Sequence, residues 1–357
     1  MPRPCEHVTV GELGEDALID TFAPLLPAGD RTLIGPGDDC AVLTAPDRRY
    51  CVSTDVLVEG HHFRLEWSSA EDIGARAAAQ NLADVAAMGA RPVALVVSLV
   101  LPATTTLGWV HGLVRGLARG CAPCGAGVVG GDLSAGEQVV VAVTAHGDLE
   151  GRRPVLRSGA RPGDIVVHAG NLGRSAAGLA LLSAGVVEPH TAEDADGASP
   201  QDAASCFISL FRAPEPPLEA GPALARAGAS AMMDVSDSLL RDCGRMARAS
   251  GVVIDLEEPT APGACLGADM RALAPVATLL VGSSNTEEAL GMARDWVLTG
   301  GEDHGMLAAV PAGAVAAVPA ARIIGRVRQA APGEGAGVLV GGREPTDLGW
   351  DHFARRS

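Results

Sequence analysis

Lysine is missing from this chain of 357 residues, so all 27 Lys-or-Arg positions are arginine. That excludes a phosphate-loop lysine, a Schiff base and the ATP-pairing strand lysine of protein kinases. If phosphates are handled, metal ions, arginines and backbone N–H groups must neutralise them. Aromatic residues are scarce too, at 3% with Tyr50 the one tyrosine, so Val, Leu and Ala must fill the cores. No apolar run approaches the roughly 18 residues of a membrane span. The opening stretch MPRPCEHVTVGELGEDALID is acidic and lacks a signal-peptide core, which predicts a cytoplasmic protein. A disulfide framework is also lacking. Eight cysteines are scattered, and Cys121 and Cys124 form a lone CxxC without a second ligand pair, which reads as incidental thiols. The net charge of −16 argues against nucleic acid or an anionic membrane as partner.

What is present is rich in glycine and aspartate. The stretch GAGVVGGDLS, Gly125–Ser134, begins with a G-x-G-x-x-G match. That fingerprint needs a strand before it and a helix after it. Here the order is inverted. Leu107, Val110, Leu113, Val114 and Leu117 have helical spacing upstream, and a polar turn and a β-branched run follow. A dinucleotide loop is therefore not expected.

Strand and helix patterns mix along the whole chain, which predicts an α+β (mixed α/β) fold. SSAEDIGARAAAQNLADVAAMGARP reads as a helix with a serine cap and a Gly89/Pro92 stop. RYCVSTDVLV, VALVVSLVL, QVVVAVTAHG and DIVVHAG read as strands, and WVLTGGEDHGMLAAVPA as two strands around a glycine turn. A seam rich in Gly, Pro and Arg near Gly151 predicts two domains, 1–150 and 151–357.

The acids recur at strand ends or turns beside small residues: Asp38, Asp39, Asp55, Asp132, Asp234, Asp237, Glu302 and Asp303. Asp84 sits on a helix, three residues after Asn81 and on its face. Each alone reads as a turn or capping residue. Together they would repel one another, and hard divalent cations relieve that repulsion. Oxygen-only donors favour Mg²⁺ over zinc. Asp39 is expected to reach metal and Asp38 to act through local hydrogen bonds. An acid cage without lysine suits a Mg²⁺–nucleotide.

GDDCAVL, STDVLVEGHHF, NLADVAAMGARP, GGDLS, RSGARPGD, DVSDSL, GGED and GWDHF occur in the order seen in thiamine-monophosphate kinases, of the aminoimidazole ribonucleotide synthetase-like superfamily. The chain resembles that family from Gly11 to Phe353. The resemblance implies ATP- and Mg²⁺-dependent phosphorylation of thiamine phosphate. It implies a homodimer whose N-terminal domains form a β-barrel-like interface, with C-terminal-domain residues completing the site. By motif, Asp39, Ser53, Thr54, Asp55, Asp84, Asp132, Asp234 and Asp237 correspond to metal ligands. Gly131, Asp132, Arg157 and Ser236 correspond to ATP contacts, and His62, Glu302 and Trp350 to the thiamine-phosphate side. No covalent nucleophile or general base is implied. Gly130 and Gly131 would then let phosphates approach the chain, and adenine would rest on aliphatic groups. The chain departs from the family pattern at Leu133 for Thr, Ser238 for Gly, and His304–Gly305 for Tyr–Glu. A sister enzyme activating another substrate, or a non-catalytic Mg²⁺–nucleotide-binding dimer, is the alternative reading.

Overall fold

A run such as Val140–Asp148, with alternate residues buried, can be stable only when a sheet has one covered face. The structure, a computed structural model, describes residues 8–13, 15–34, 42–185, 200–318 and 320–349. It divides into two compact units: residues up to Ala86 with Ala90–Arg153, and Ala87–Gly89 with Pro154 onward.

The first unit contains α1 (Val10–Leu13), α2 (Glu15–Phe22), β1 (Thr32–Ile34), β2 (Val42–Leu43), β3 (Tyr50–Val58), α3 (Ala70–Ala87), β4 (Arg91–Leu101), α4 (Leu107–Cys121), β5 (Gly127–Ala135) and β6 (Val140–Asp148). Four strands form one sheet in the order β3-β6-β4-β5. Strands β4 and β5 are parallel, and β6 runs antiparallel to both β3 and β4. Val141, Val143 and Ala145 of β6 are buried on one face. On β3, Tyr50, Val52 and Val56 expose an apolar strip. Thr106 caps α4 by accepting the Trp109 N–H, and the helix buries Leu107, Val110, Leu113, Val114 and Leu117.

Gly74 of α3 and Gly112, Gly116 and Gly120 of α4 lie where the two helix backbones touch. A Cβ on Gly116 would lie 2.0 Å from the Glu71 carbonyl oxygen, and one on Gly74 would lie 2.1 Å from that of Leu113. Both neighbours are backbone, so neither can rotate aside. Gly116→Ala is expected to destabilise the protein by about 3 kcal/mol, since the helices must part. Gly291 lies inside the helix Thr286–Thr299, where an added Cβ would meet open space. Gly291→Ala is expected to stabilise by about 0.5–1 kcal/mol through helix propensity alone. Denaturant unfolding of both variants checks the pair, and equal effects would refute the backbone-contact account.

The second unit contains β7 (Ile165–Ala169), α5 (Arg174–Ala184), α6 (Pro200–Arg212), α7 (Ala220–Arg226), β8 (Ala231–Val235), α8 (Leu239–Ser250), β9 (Val253–Leu256), α9 (Leu266–Val281), α10 (Thr286–Thr299), β10 (Gly305–Val310), β11 (Ala321–Arg328) and β12 (Gly337–Val340). Its sheet has the order β12-β9-β11-β7-β10-β8, antiparallel except for β12 with β9. Every residue of β8 and β10 is buried. Helix α8 buries Leu239, Leu240, Cys243, Met246 and Ala247, an apolar stripe at helical spacing, against β8, β9 and β12.

Two local expectations fail. GGDLS is not a turn, because β5 carries it to Ala135 in register with β4. WVLTG is not a strand but the end of α10, and Gly300 stops that helix.

Candidate active site

In the first unit, β3 and α3 bring two of the expected acids next to each other's partners. Ser53 and Asp55 alternate on β3 and so share a face. Ser53 Oγ donates to Asp84 Oδ2 at 2.8 Å, and Gln80 Nε2 donates to Asp55 Oδ2 at 2.6 Å. Gln80 and Asp84 are four residues apart, one helical turn on α3. Thr54 points to the opposite face. Its hydroxyl donates to the Val143 carbonyl and accepts from Thr144. Asp132 is not brought to Asp55 either. The register places it in the row Val56–Ala142–Ser98–Asp132, across the sheet on β5. Three strand spacings, about 14 Å, separate that strand from β3. Asp39 and Asp38 lie outside the described residues, as does Trp350.

The glycine pair before Asp132 divides its duties. A Cβ on Gly131 would stand 2.0 Å from the Val97 carbonyl, so the sheet itself requires glycine there. Gly130 has open space around it. Gly130, Gly131 and Asp132 border a cavity of about 750 Å³ walled by Val110, Leu113, Val114 and Leu117 of α4. Phe22 and Tyr50 also line it, two rings that the local sequence before GGD does not announce. His62 accepts the Val58 N–H at Nδ1, at 3.0 Å. A backbone N–H can only donate, so a neutral His62 carries its proton on Nε2.

In the second unit, β8 delivers Asp234, and the turn Ser236–Ser238 opens α8. One carboxylate organises that turn. Asp242 Oδ2 accepts the N–H groups of Ser236, Asp237 and Ser238 at 3.1–3.3 Å. Arg245 bridges Asp242 and Asp237. Burial pushes the Asp242 carboxyl up to about 6, and the Asp234 charge adds to this. The Ser238 N–H and Arg245 oppose it. Ser238, the departure from glycine, caps α8 by accepting the Arg241 N–H and donates to the Leu348 carbonyl at 2.6 Å. Arg157 is exposed on a loop fastened by Ser250, whose hydroxyl accepts the Gly159 and Ala160 N–H groups.

The turn before β10 packs against the same place. Glu302 N–H donates to the Ser236 carbonyl and His304 N–H to that of Val235. His304 Nδ1 lies 3.1 Å from Asp234 Oδ2, and Nε2 lies 3.8 Å from Glu302 Oε2. Burial works against a charge on His304, but Asp234 and Glu302 outweigh it and push the imidazole up to about 10. Asp303 faces away. It is buried and accepts the Ser175 N–H at the start of α5, a structural cap. Gly305 is explained by His168. That buried ring fills the space a side chain at 305 would need. Burial, helped by the charge of Arg322, holds His168 well below the ordinary imidazole range.

Asp242, Arg245, Ser250 and Gln80 are the neighbours of the expected site residues and their loops that motif reading missed. Spacing could have found two of them: Gln80 is one turn before Asp84, and Asp242 lies in the first turn of α8. Asp242→Ala would leave three N–H groups without their acceptor. It is expected to cost about 3 kcal/mol, with Asp242→Asn about half as costly because one oxygen still accepts. Denaturant unfolding measures both, and an Asp242→Ala cost below that of Asp242→Asn would contradict the assignment.

Among the described residues, no three His, Cys, Asp or Glu side chains close on one point as a ready metal cage. The donor chemistry nevertheless fits Mg²⁺. The acids and hydroxyls are oxygen donors, and Mg²⁺ usually takes one or two carboxylates, keeps water, and completes its shell with substrate phosphates.

This architecture of two units, each with its own sheet and its own group of acids, defines a class. The N-terminal domain of AIR synthase related proteins matches residues 37–149, and their C-terminal domain matches 161–330. A thiamine-monophosphate kinase of Mycobacterium tuberculosis is 45% identical over 353 residues, covering 98% of this chain and 94% of that one. The solved thiamine-monophosphate kinase of Stenotrophomonas maltophilia K279a superposes with a TM-score of 0.73 at 30% identity, covering 93% of this chain and 98% of that one. A solved AaThiL complexed with AMPPCP and TMP gives 0.70 at 30% identity, covering 97% and 99%. Within the AIR synthase related class, the chain belongs to the thiamine-monophosphate kinase family.

Proposed function

We propose that the chain transfers the γ-phosphoryl group of ATP to thiamine phosphate, forming thiamine diphosphate and ADP. The observation that carries this is the near-complete match to a neighbour solved with AMPPCP and TMP. The acceptor is a phosphate whose second pKa is near 6, so it is already anionic near neutral pH. No general base is needed, and no side chain is assigned as one. The obstacle is repulsion between two phosphates.

Asp39, Asp55, Asp84, Asp132, Asp234 and Asp237 are the carboxylates assigned to Mg²⁺, with Ser53 beside Asp84, and with Thr54, whose hydroxyl faces the other side of β3, limited to its backbone oxygen. When bound, Mg²⁺ supplies charge neutralisation and an in-line orientation for the phosphates. Arg157 offers a guanidinium that can bind phosphate oxygens. Ser236 has both backbone groups committed, to Asp242 and to Glu302, so its contact with ATP is assigned to the hydroxyl. Adenine is assigned to the apolar cavity beside Gly131, whose walls include the Phe22 and Tyr50 rings, and His62, Glu302 and Trp350 to thiamine phosphate. The exposed strip Tyr50, Val52 and Val56 supports a homodimer through the first unit's sheet. Among the described residues, no helix is long and apolar enough to cross a membrane.

The test is label transfer from γ-labelled ATP. ADP should appear only with thiamine phosphate, and the label should pass directly to thiamine diphosphate. A stoichiometric phosphoprotein competent to phosphorylate thiamine phosphate would rule the direct path out.

A further inference from the structure

The structure surrounds His304 with unusual features. It sits in a turn where Glu302 has φ 69° and His304 itself has φ 52°. Side-chain-bearing residues adopt that left-handed region at a cost of order 1–3 kcal/mol each, and such strain gathers at functional sites. The turn is over-determined. Asp303 is anchored to α5, and the flanking N–H groups are held by Val235 and Ser236. Gly301 must be glycine, because a Cβ there would lie 2.5 Å from the Ser236 carbonyl.

This frame fixes the imidazole, which is only 5% exposed. Asp234 is a carboxylate acceptor, so the 3.1 Å contact requires a proton on Nδ1. Nε2 is buried without a hydrogen-bond partner among the described residues and faces Glu302 at 3.8 Å. That gap is longer than a hydrogen bond, and a small movement of the half-buried Glu302 closes it. An imidazole presents two nitrogens at opposite edges of a rigid ring.

We propose that His304 is a positioning residue that orients Asp234 through Nδ1 and Glu302 through Nε2, so that one ring sets a metal-side and a substrate-side carboxylate together. This rests on the roles assigned to Asp234 and Glu302 under the proposed function. It makes a separable claim, because the two edges of the ring can be removed one at a time. The amide nitrogen of Asn lies near the position of Nδ1 and that of Gln near the position of Nε2. Asn also tolerates the left-handed backbone.

The experiment compares His304→Asn, His304→Gln and His304→Phe with the wild type. One readout is the KM for thiamine phosphate. The other is Mn²⁺ affinity by water-proton relaxation with an unhydrolysable ATP analogue present, which needs no turnover. His304→Asn should raise KM about tenfold and leave Mn²⁺ affinity within about twofold. His304→Gln should do the reverse, and His304→Phe should lose both. Equal shifts of both quantities in the Asn and Gln variants, or no shift in either, would overturn the proposal. Glu302→Gln provides a second arm should a His304 variant fail to fold. It should raise KM without changing Mn²⁺ affinity, and an unchanged KM would overturn the Nε2 half. A wild type that does not phosphorylate thiamine phosphate defeats the proposed function instead, whereas an active wild type without the split defeats only this inference.

Discussion

Asp84→Asn is expected to cut turnover by about three orders of magnitude while the protein keeps its fold. The two halves of that expectation come from different interactions. Ser53 Oγ donates to Asp84 Oδ2, and an asparagine oxygen of the same size can accept that bond. The side chain stays on α3, where Asn81 donates to the Ala77 carbonyl and does not depend on it. Loss of one formal charge therefore changes little in the packing. The same loss matters at a donor site for a divalent ion, where one or two carboxylates per ion carry most of the protein's share. Asp55→Asn should behave alike, because the asparagine oxygen can keep the Val56 N–H while Gln80 turns its amide to accept from the new NH2 group. Kinetics across a Mg²⁺ titration, with a thermal melt of each variant, measure both halves. Near-normal turnover of both variants at sub-millimolar Mg²⁺ would remove these acids from the metal assignment. A collapsed melting transition would instead show them to be structural.

Much of this architecture was legible because it follows local rules. The small-residue helix α3, the apolar stripe of α4 and the β-branched strands β3, β4, β6 and β7 all declare themselves by period and caps. What stayed hidden depends on neighbours distant in sequence. GGDLS reads as a turn from its glycines, yet β4 supplies a ladder that draws it into β5, and only glycine fits Gly131 against the Val97 carbonyl. WVLTG has strand-like residues, but α10 runs through them because α9 and α8 pack against that helix.

The site divides in the same way. Motifs named Ser53, Asp55, Asp84, Asp234 and Asp237, and the structure gives Ser53 and Asp84 a direct bond and joins Asp234 to the turn carrying Glu302. Motifs could not say that Thr54 faces away from Ser53, although strict strand alternation implies it. They also could not say that Asp132 lies across the sheet, since strand order is not written in any local stretch. Asp242 was missed for a physical reason. A buried carboxylate that accepts backbone N–H groups leaves no trace in spacing beyond an acid in a helix's first turn.

Unphosphorylated thiamine is expected to be a poor substrate, with kcat/KM at least about 10³-fold below that of thiamine phosphate. Thiamine phosphate presents a cationic ring, an aminopyrimidine and an anion. The acids of this chain can favour the cation, but in the proposed reaction only the phosphate oxygen is the nucleophile. Thiamine places a neutral hydroxyl there instead, protonated at any pH the enzyme meets. It is also shorter by a phosphoryl group, so its oxygen falls short of the γ-phosphoryl. Rescue would require a general base, and none is assigned. The loss should therefore appear in kcat as well as KM, because both the charged nucleophile and its anchoring contacts disappear. The sign with pH follows from the acceptor rather than from the protein. Turnover of thiamine phosphate should rise as pH increases through about 6, where the second phosphate proton leaves. Steady-state kinetics with thiamine and thiamine phosphate at fixed Mg²⁺–ATP, repeated from pH 5 to about 8, test both statements. Comparable kcat/KM values for the two acceptors would reassign the chemistry to phosphorylation of an alcohol. That chemistry would demand a base, and a neutral His62, with its Nδ1 lone pair accepting the Val58 N–H and its proton on Nε2, has no lone pair to offer as one.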